Sequence, residues 1–215
     1  MINSSNLIII TTTKPNSSIS EKRINNIINN FSKYNIPIII NDYIKKNYSV
    51  SQISCEMIIN NINLFKNINY EYALLIDNDF YPIDNFLEEL NKTIELLPTN
   101  WRCLHLCPGY LWGRFFRNKS KIGHLNPEYP IYNMQYHESG RYFLNCNANY
   151  GGPLGGPISI LVNKLEVQKI LDDFIKFDTC NIPNDVILKN ILNENDFICR
   201  EPMLGYENEE GGTTF

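Results

Sequence analysis

Short apolar runs alternate with helically spaced apolar stripes over the first half of this chain. Leu7–Ile10, Pro37–Ile40 and Ala73–Ile76 are compact runs of strand length. Ala73–Ile76 lacks the alternation of a solvated strand, so it reads as a strand buried on both faces. Between these runs, Ile24, Ile27, Ile28 and Phe31 follow Ser20-Glu21-Lys22-Arg23 at intervals of three and four. That spacing puts them on one face of a helix. Residues 53–67 repeat the pattern through Ile53, Met57, Ile58, Asn61, Leu64 and Phe65. A third helix is expected from Pro82 to Leu97, capped by Asp84, and Trp101–Leu106 reads as the next strand. Strand and helix in strict succession predict an α/β fold, a mostly parallel central sheet with helices on both faces.

From Cys107 to Tyr150 the pattern changes to Pro, Gly, Tyr, Trp and Asn, with short strands expected at Ile131–Tyr136 and Arg141–Asn145. Then come the loop Gly151-Gly152-Pro153-Leu154-Gly155-Gly156-Pro157, a strand Ile158–Val162 and a helix Leu165–Lys176. A further helix starts at Asn184 or Asp185 and runs to Leu192, Phe197–Arg200 is a short strand, and Pro202–Phe215 is a Gly- and Glu-rich tail. No repeat or linker interrupts the 215 residues, so one domain is expected, with a nucleotide-binding half at 1–106 and an acceptor-binding, closing half at 107–215.

The candidate chemistry sits where the buried strand ends. Asp77 and Asp79, two residues apart, follow Ile76. Ligands of open α/β sheets bind at the carboxyl ends of the strands. Two hard oxygen donors there can share one Mg²⁺ or Mn²⁺ and, through it, neutralise a diphosphate. Asp79 is the expected direct ligand; Asp77, nearer the sheet, is expected on a ribose or a metal-bound water. Asn78 either joins the donor site or orients the loop. The competing reading is a capping and turn role, which Asp also favours. Thr11, Thr12 and Thr13 end the first strand, and Asn41 and Asp42 the second, where they can meet a base or ribose. Gly155 and Gly156 allow close backbone approach to a diphosphate or sugar, or else serve a rigid chain reversal. The G-x-x-x-x-G-K-[ST] phosphate loop is absent.

Composition removes other classes. With a net charge of -4 and scattered basic residues, the chain lacks the clustered Lys and Arg of a nucleic-acid groove. No apolar run approaches the roughly 20 residues of a membrane span. Met1–Asn6 has neither the basic nor the apolar region of a signal peptide, so a cytoplasmic location is expected. The 32 Asn and 31 Ile fit an A+T-rich coding genome, such as that of a large DNA virus or an A+T-rich microbe; a viral source would place the protein in the host cytoplasm. Six cysteines are too few for a disulfide scaffold, and most read as reduced core thiols. Cys103, His105 and Cys107 lack the second ligand pair of a zinc site, and His105 among leucines reads as a core histidine. Tyr110, Trp112, Phe115, Tyr129 and Tyr132 could face a sugar acceptor or simply cover the core, and Glu207, Glu209 and Glu210 could complete a metal shell if the tail folds back.

The ordered segments resemble one family. Cys55-Glu56-Met57 leading to Leu64-Phe65, then Tyr72–Asp79, Gly156–Val162 with helix Leu165–Leu171, Ile182–Leu188 and Arg200-Glu201-Pro202-Met203-Leu204 are similar to the LPS-biosynthesis and procollagen galactosyltransferases, glycosyltransferase family 25. The resemblance spans residues 50–210; the chain departs from the family's more acidic Asp-x-Asp surroundings and arginine-rich opening. It implies a GT-A fold, a nucleoside-diphosphate sugar donor (UDP- or GDP-linked), Mn²⁺ or Mg²⁺, and a glycan, protein or small-molecule hydroxyl acceptor. If transfer inverts, Asp185 is the expected base, taking the acceptor proton; otherwise it is a helix cap. A sugar-phosphate nucleotidyltransferase is the alternative enzyme, although Thr11–Pro15 stands where that class needs a basic Gly-rich loop. A carbohydrate- or protein-binding module on the same fold is the third reading.

Overall fold

The structure, a computed structural model, describes residues 1–14, 17–42, 50–106, 135–144, 159–176, 193–200 and 202–207. In chain order the elements are β1 (Leu7–Thr13), α1 (Ser18–Ser32), β2 (Ile38–Asp42), α2 (Val50–Asn67), β3 (Tyr72–Ile76), β4 (Phe80–Pro82), α3 (Phe86–Ile94), β5 (Cys103–His105), β6 (Tyr142–Phe143), β7 (Ser159–Asn163), α4 (Val167–Lys176), β8 (Asp196–Cys199) and β9 (Gly205–Glu207). Seven strands form one sheet in the order β2-β1-β3-β7-β5-β8-β6. β2, β1, β3, β5 and β8 run in one direction, while β7 and β6 run against their neighbours. The sheet is mostly parallel, as expected, with β7 inserted in reverse between β3 and β5 and β6 reversed at the edge.

Both faces of the sheet are covered, which explains why its strands do not alternate. Leu7 and Ile9 of β1 and Leu74 and Ile76 of β3 pack with Ile27 and Phe31 of α1 and Phe86 and Leu90 of α3. Their sequence neighbours Ile8, Ile10, Ala73 and Leu75 pack on the opposite face with Ile58, Ile62 and Phe65 of α2 and Ile170, Leu171 and Phe174 of α4. Ser17 caps α1, its hydroxyl accepting from the Ser20 N–H. Asn35, at φ 53°, turns the chain from α1 towards β2 in the left-handed region that Asn tolerates.

Two expected boundaries move. α3 begins at Phe86 after Asn85, without a side-chain cap, because the Asp84 segment is held elsewhere: its carbonyl accepts from Lys33 Nζ at 2.8 Å and the Tyr34 hydroxyl at 2.9 Å. Pro82 does not open the helix; Phe80–Pro82 is β4, paired antiparallel with β9 from the expected tail. The predicted strand Ile131–Tyr136 and the helix ending at Leu192 fall wholly or mostly outside the described residues.

One lysine closes α2. Lys164 Nζ donates to the carbonyls of Phe65, Lys66 and Ile68, the end of α2 and the turn beyond it. A cation is favourable there because unpaired carbonyls carry the negative end of the helix dipole. Partial burial pushes the Lys164 ammonium down from its ordinary value. Lys164→Met is expected to lower stability by about 1–2 kcal/mol, the scale of lost charge-assisted bonds at a partly exposed helix end. Urea denaturation measures it.

Candidate active site

The residues singled out at the ends of the first three strands meet at one edge of the sheet. Thr12 and Thr13 lie opposite Asn41 and Asp42, and Thr11 lies opposite Ile76. Asp77, Asn78 and Asp79 form a turn that leads at once into β4, closed by the Phe80 N–H donating to the Asp77 carbonyl at 3.1 Å. β7 begins at the same edge, Ser159 lying opposite Ile76. Gly155, Gly156 and Asp185 lie outside the described residues, as do Glu201, Glu209, Glu210 and the aromatic residues between 110 and 132.

The acid turn is held from beneath. Asn78 is buried; its amide donates to the Thr12 carbonyl at 3.2 Å and accepts from Arg23 Nη1 at 3.1 Å. Asn78 thus ties the turn to β1 and α1. The same Arg23 nitrogen lies 3.2 Å from Asp79 Oδ2, the two side chains only 8% and 16% exposed. Asp77 is partly exposed. On the neighbouring strands the Asn61 amide of α2 donates to the Thr12 hydroxyl at 3.1 Å and accepts from Asn41. Thr11 is wholly buried, while Thr13 is partly open and Asp42 exposed. Thr13, Asp42, Asp77 and Asp79 are thus the side chains of this group best placed to meet a ligand.

The sequence reading missed Arg23, Asn61 and Gly205. Arg23 shares the buried stripe of α1 with Ser20, Ile27 and Phe31, and a charge on such a stripe is the signal that marks it. Gly205 lets β9 lie against the acid turn: a Cβ there would come within 2.2 Å of the Phe80 ring and 2.7 Å of the Tyr81 carbonyl. β9 consequently brings the Glu207 backbone opposite Phe80, one residue after Asp79.

The donor set suits one kind of cation. Among the described residues no group of three or more His, Cys, Asp or Glu could form an all-protein metal cage. A pair of carboxylates fits Mg²⁺ or Mn²⁺, which take one or two carboxylates and complete their shell with substrate phosphates and water. Cys107 lies outside the described residues, and Cys55, Cys103 and Cys199 are buried thiols, as expected.

His105 lies buried in the core. It is buried in β5, 3.9 Å from Cys103 Sγ, and burial drives its imidazole down to about 4 despite the opposing pull of Asp196. The native state therefore refuses a proton that the unfolded chain accepts below about pH 6.5. Stability is expected to fall as pH drops from about 6.5 to about 4, by on the order of 3 kcal/mol from this group. Replacing His105 by Gln should flatten that part of the stability–pH curve, measured by urea denaturation at each pH.

By sequence, no protein family and no curated protein matches this chain. The chain superposes on the crystal structure of a glycosyltransferase involved in glycosylation of the major capsid of PBCV-1 with a TM-score of 0.57 and 10% identity, covering 97% of this chain and 94% of that one. The fold is that of the GT-A glycosyltransferases. A Drosophila β-1,4-galactosyltransferase 7 mutant, solved with manganese, UDP-galactose and xylobiose, is a more distant likeness. Its TM-score is 0.36 at 12% identity, over 76% of this chain and 52% of that one. Within the GT-A architecture, the acid turn after β3 and the ends of β1 and β2 occupy the strand edge at which α/β sheets bind ligands.

Proposed function

We propose that this protein is a glycosyltransferase that moves a sugar from a UDP- or GDP-linked donor to a hydroxyl acceptor, using Mn²⁺ or Mg²⁺ held by Asp77 and Asp79. The observation that carries the reading is the Asp77–Asp79 turn at the carboxyl edge of a GT-A sheet, fixed by Arg23 and Asn78. The metal, when bound, would offset the charge that develops on the departing diphosphate. Asp79 supplies a carboxylate oxygen from a turn already ordered by the protein, which limits the reorganisation that binding requires. Asp77, more open, takes the cation or a water on it. Thr13 and Asp42 face the ribose or base, with Asn41 held behind them by Asn61. Glu207, whose backbone β9 brings beside the acid turn, is the candidate for a third carboxylate. Asp185 remains the proposed base that removes the acceptor proton in an inverting transfer.

Within this class the ordered segments from Cys55 to Leu204 support kinship with family 25. The acceptor is proposed only as a glycan, protein or small-molecule hydroxyl. No helix among the described residues is long and apolar enough to cross a membrane. A cytoplasmic location, in the host if the source is viral, belongs to the same proposal. A panel of nucleotide sugars assayed for hydrolysis with and without Mn²⁺ tests the reading. Metal-dependent release of a nucleoside diphosphate from one donor is expected. Release of pyrophosphate from a nucleoside triphosphate and a sugar phosphate would favour the nucleotidyltransferase instead, and sugar binding without turnover would favour the binding module.

A further inference from the structure

We propose that Tyr136, backed by Arg200, is a sugar-stacking platform at the ligand edge of the sheet, and that the acceptor is a glycan chain with one ring resting on Tyr136. The inference rests on the glycosyltransferase reading above and names the acceptor class and a residue that takes it. Tyr136 is 53% exposed, and Arg200 lays its guanidinium over the ring, 4.3 Å from the centroid. One face of the phenol is therefore covered, and the exposure belongs to the other face and the rim. The ring is also held through its backbone. Gln135–His137 runs along β6, the His137 N–H donating to the Tyr142 carbonyl at 2.9 Å and the Leu144 N–H to the Gln135 carbonyl at 2.8 Å. Gly140, at φ 74°, closes the turn between them, and its carbonyl accepts from Arg200 Nη1 at 3.2 Å. His137 stacks on the buried Tyr142, whose hydroxyl donates to the Leu96 carbonyl at 2.7 Å. A ring fixed through its backbone and one face loses little freedom when a ligand settles on the other. Tyrosine offers that ligand an apolar body with a hydroxyl at the rim, which matches the C–H face and hydroxyl edge of a sugar.

The platform lies on the same edge as the acid turn. Arg200 leaves β8 where Asp77 leaves β3, because the two strands run in one direction. Four residues after Arg200, the Leu204 N–H donates to the Leu106 carbonyl just past β5, and the Leu204 carbonyl accepts from the Ile83 N–H. β9 then reaches the acid turn. β8 stands three strand spacings from β3, about 14 Å at the usual separation. Tyr136 lies beyond β8, too far for a sugar still bonded to a diphosphate on the acid pair. The distance suits a unit further along an acceptor chain. Thr13 and Asp42 lie on the other side of β3, so the nucleotide and Tyr136 occupy opposite flanks.

Calorimetric titration with linear oligosaccharides of one to four units tests this, in glucose, galactose, mannose, xylose and N-acetylglucosamine series, with and without Mn²⁺ and UDP or GDP. One series is expected to gain affinity stepwise with length. In Tyr136→Ala the longest member of that series should bind about three- to tenfold more weakly, the scale of one ring contact. Tyr136→Phe should stay close to the wild type, and a single sugar should bind all three proteins alike. Arg200→Met should weaken binding of the longest member as Tyr136→Ala does, because the ring loses its support, and it is the second variant should the alanine protein fail to fold. Urea denaturation reports folding in each. A ring that merely covers the turn predicts instead an equal loss, or none, at every length. Unchanged affinity for the longest member in the folded variants, or a wild type that binds no member of the panel, overturns the inference. So does weaker UDP or GDP binding in Tyr136→Ala, which would assign the ring to the donor. Metal-dependent donor hydrolysis by the same wild-type preparation tests the enzyme reading separately. Hydrolysis without length-dependent glycan binding removes only the platform; length-dependent binding without hydrolysis keeps the platform and removes the transferase.

Discussion

Arg102→Met is expected to destabilise the fold by about 3–5 kcal/mol, the scale found when one partner of a buried ion pair is removed. Arg102 and Asp196 lie at the bases of β5 and β8, and both are buried, Asp196 completely. Arg102 Nε and Nη2 reach the two oxygens of Asp196 at 3.0 and 2.7 Å, and Nη1 reaches Asp173 of α4 at 2.6 Å. Burial alone would push the guanidinium down; its bonds to Asp196 and Asp173 outweigh that and raise it. Asp196 further accepts from the Asn193 N–H at 2.9 Å and the Cys103 thiol at 3.1 Å. These two donors cannot balance a full charge in the core, so loss of the arginine leaves a buried carboxylate without its cation. Asp173 is 26% exposed and can turn to water. Arg102→Met combined with Asp196→Leu should recover much of the loss, because an apolar pair avoids the desolvation that the ion pair carries. Urea denaturation of the single and double variants measures both effects. A single-variant loss below about 1 kcal/mol would mean that the pair behaves as a solvated surface bridge.

How much of this was readable beforehand depends on the range of the interactions. β1, β3 and the stripes of α1, α2 and α4 follow from local pattern, because burial on both faces of a covered sheet writes itself into continuous apolar runs. The reversal of β7 does not. Ser159–Asn163 is the same kind of apolar run whichever way it points, and its direction is fixed by pairing with residues 55 to 91 positions earlier. β4 and β9, three residues each, are too short for a period to show, and their pairing turns on Gly205 having no side chain. Asp84 illustrates a local signal overruled: an acid at the expected start of a helix looks like a cap, yet Lys33 and Tyr34 hold its backbone outside the helix.

The site divides in the same way. The acid pair, the three threonines and Asn41-Asp42 were legible because each ends a strand, and strand ends of one sheet converge. What supports them was hidden. Arg23 and Asn61 lie on helices that read as polar interruptions of apolar stripes, and only the fold shows that these interruptions point at the strand ends.

The second large effect concerns Asp79. Asp79→Asn should keep the turn, since an asparagine oxygen can still accept from Arg23, but it removes the negative charge that a hard cation requires. Mn²⁺-dependent nucleotide affinity is expected to fall by about 100-fold or more, beyond the 10–100-fold typical of altering a group that merely supports a metal ligand. Calorimetric titration of UDP and GDP in the presence and absence of Mn²⁺, on the wild type and on Asp79→Asn shown to be folded by urea denaturation, tests this directly. The account predicts metal-dependent binding by the wild type and its loss in the variant. Equal Mn²⁺-dependent affinity in the two proteins, or wild-type binding indifferent to metal, would contradict it.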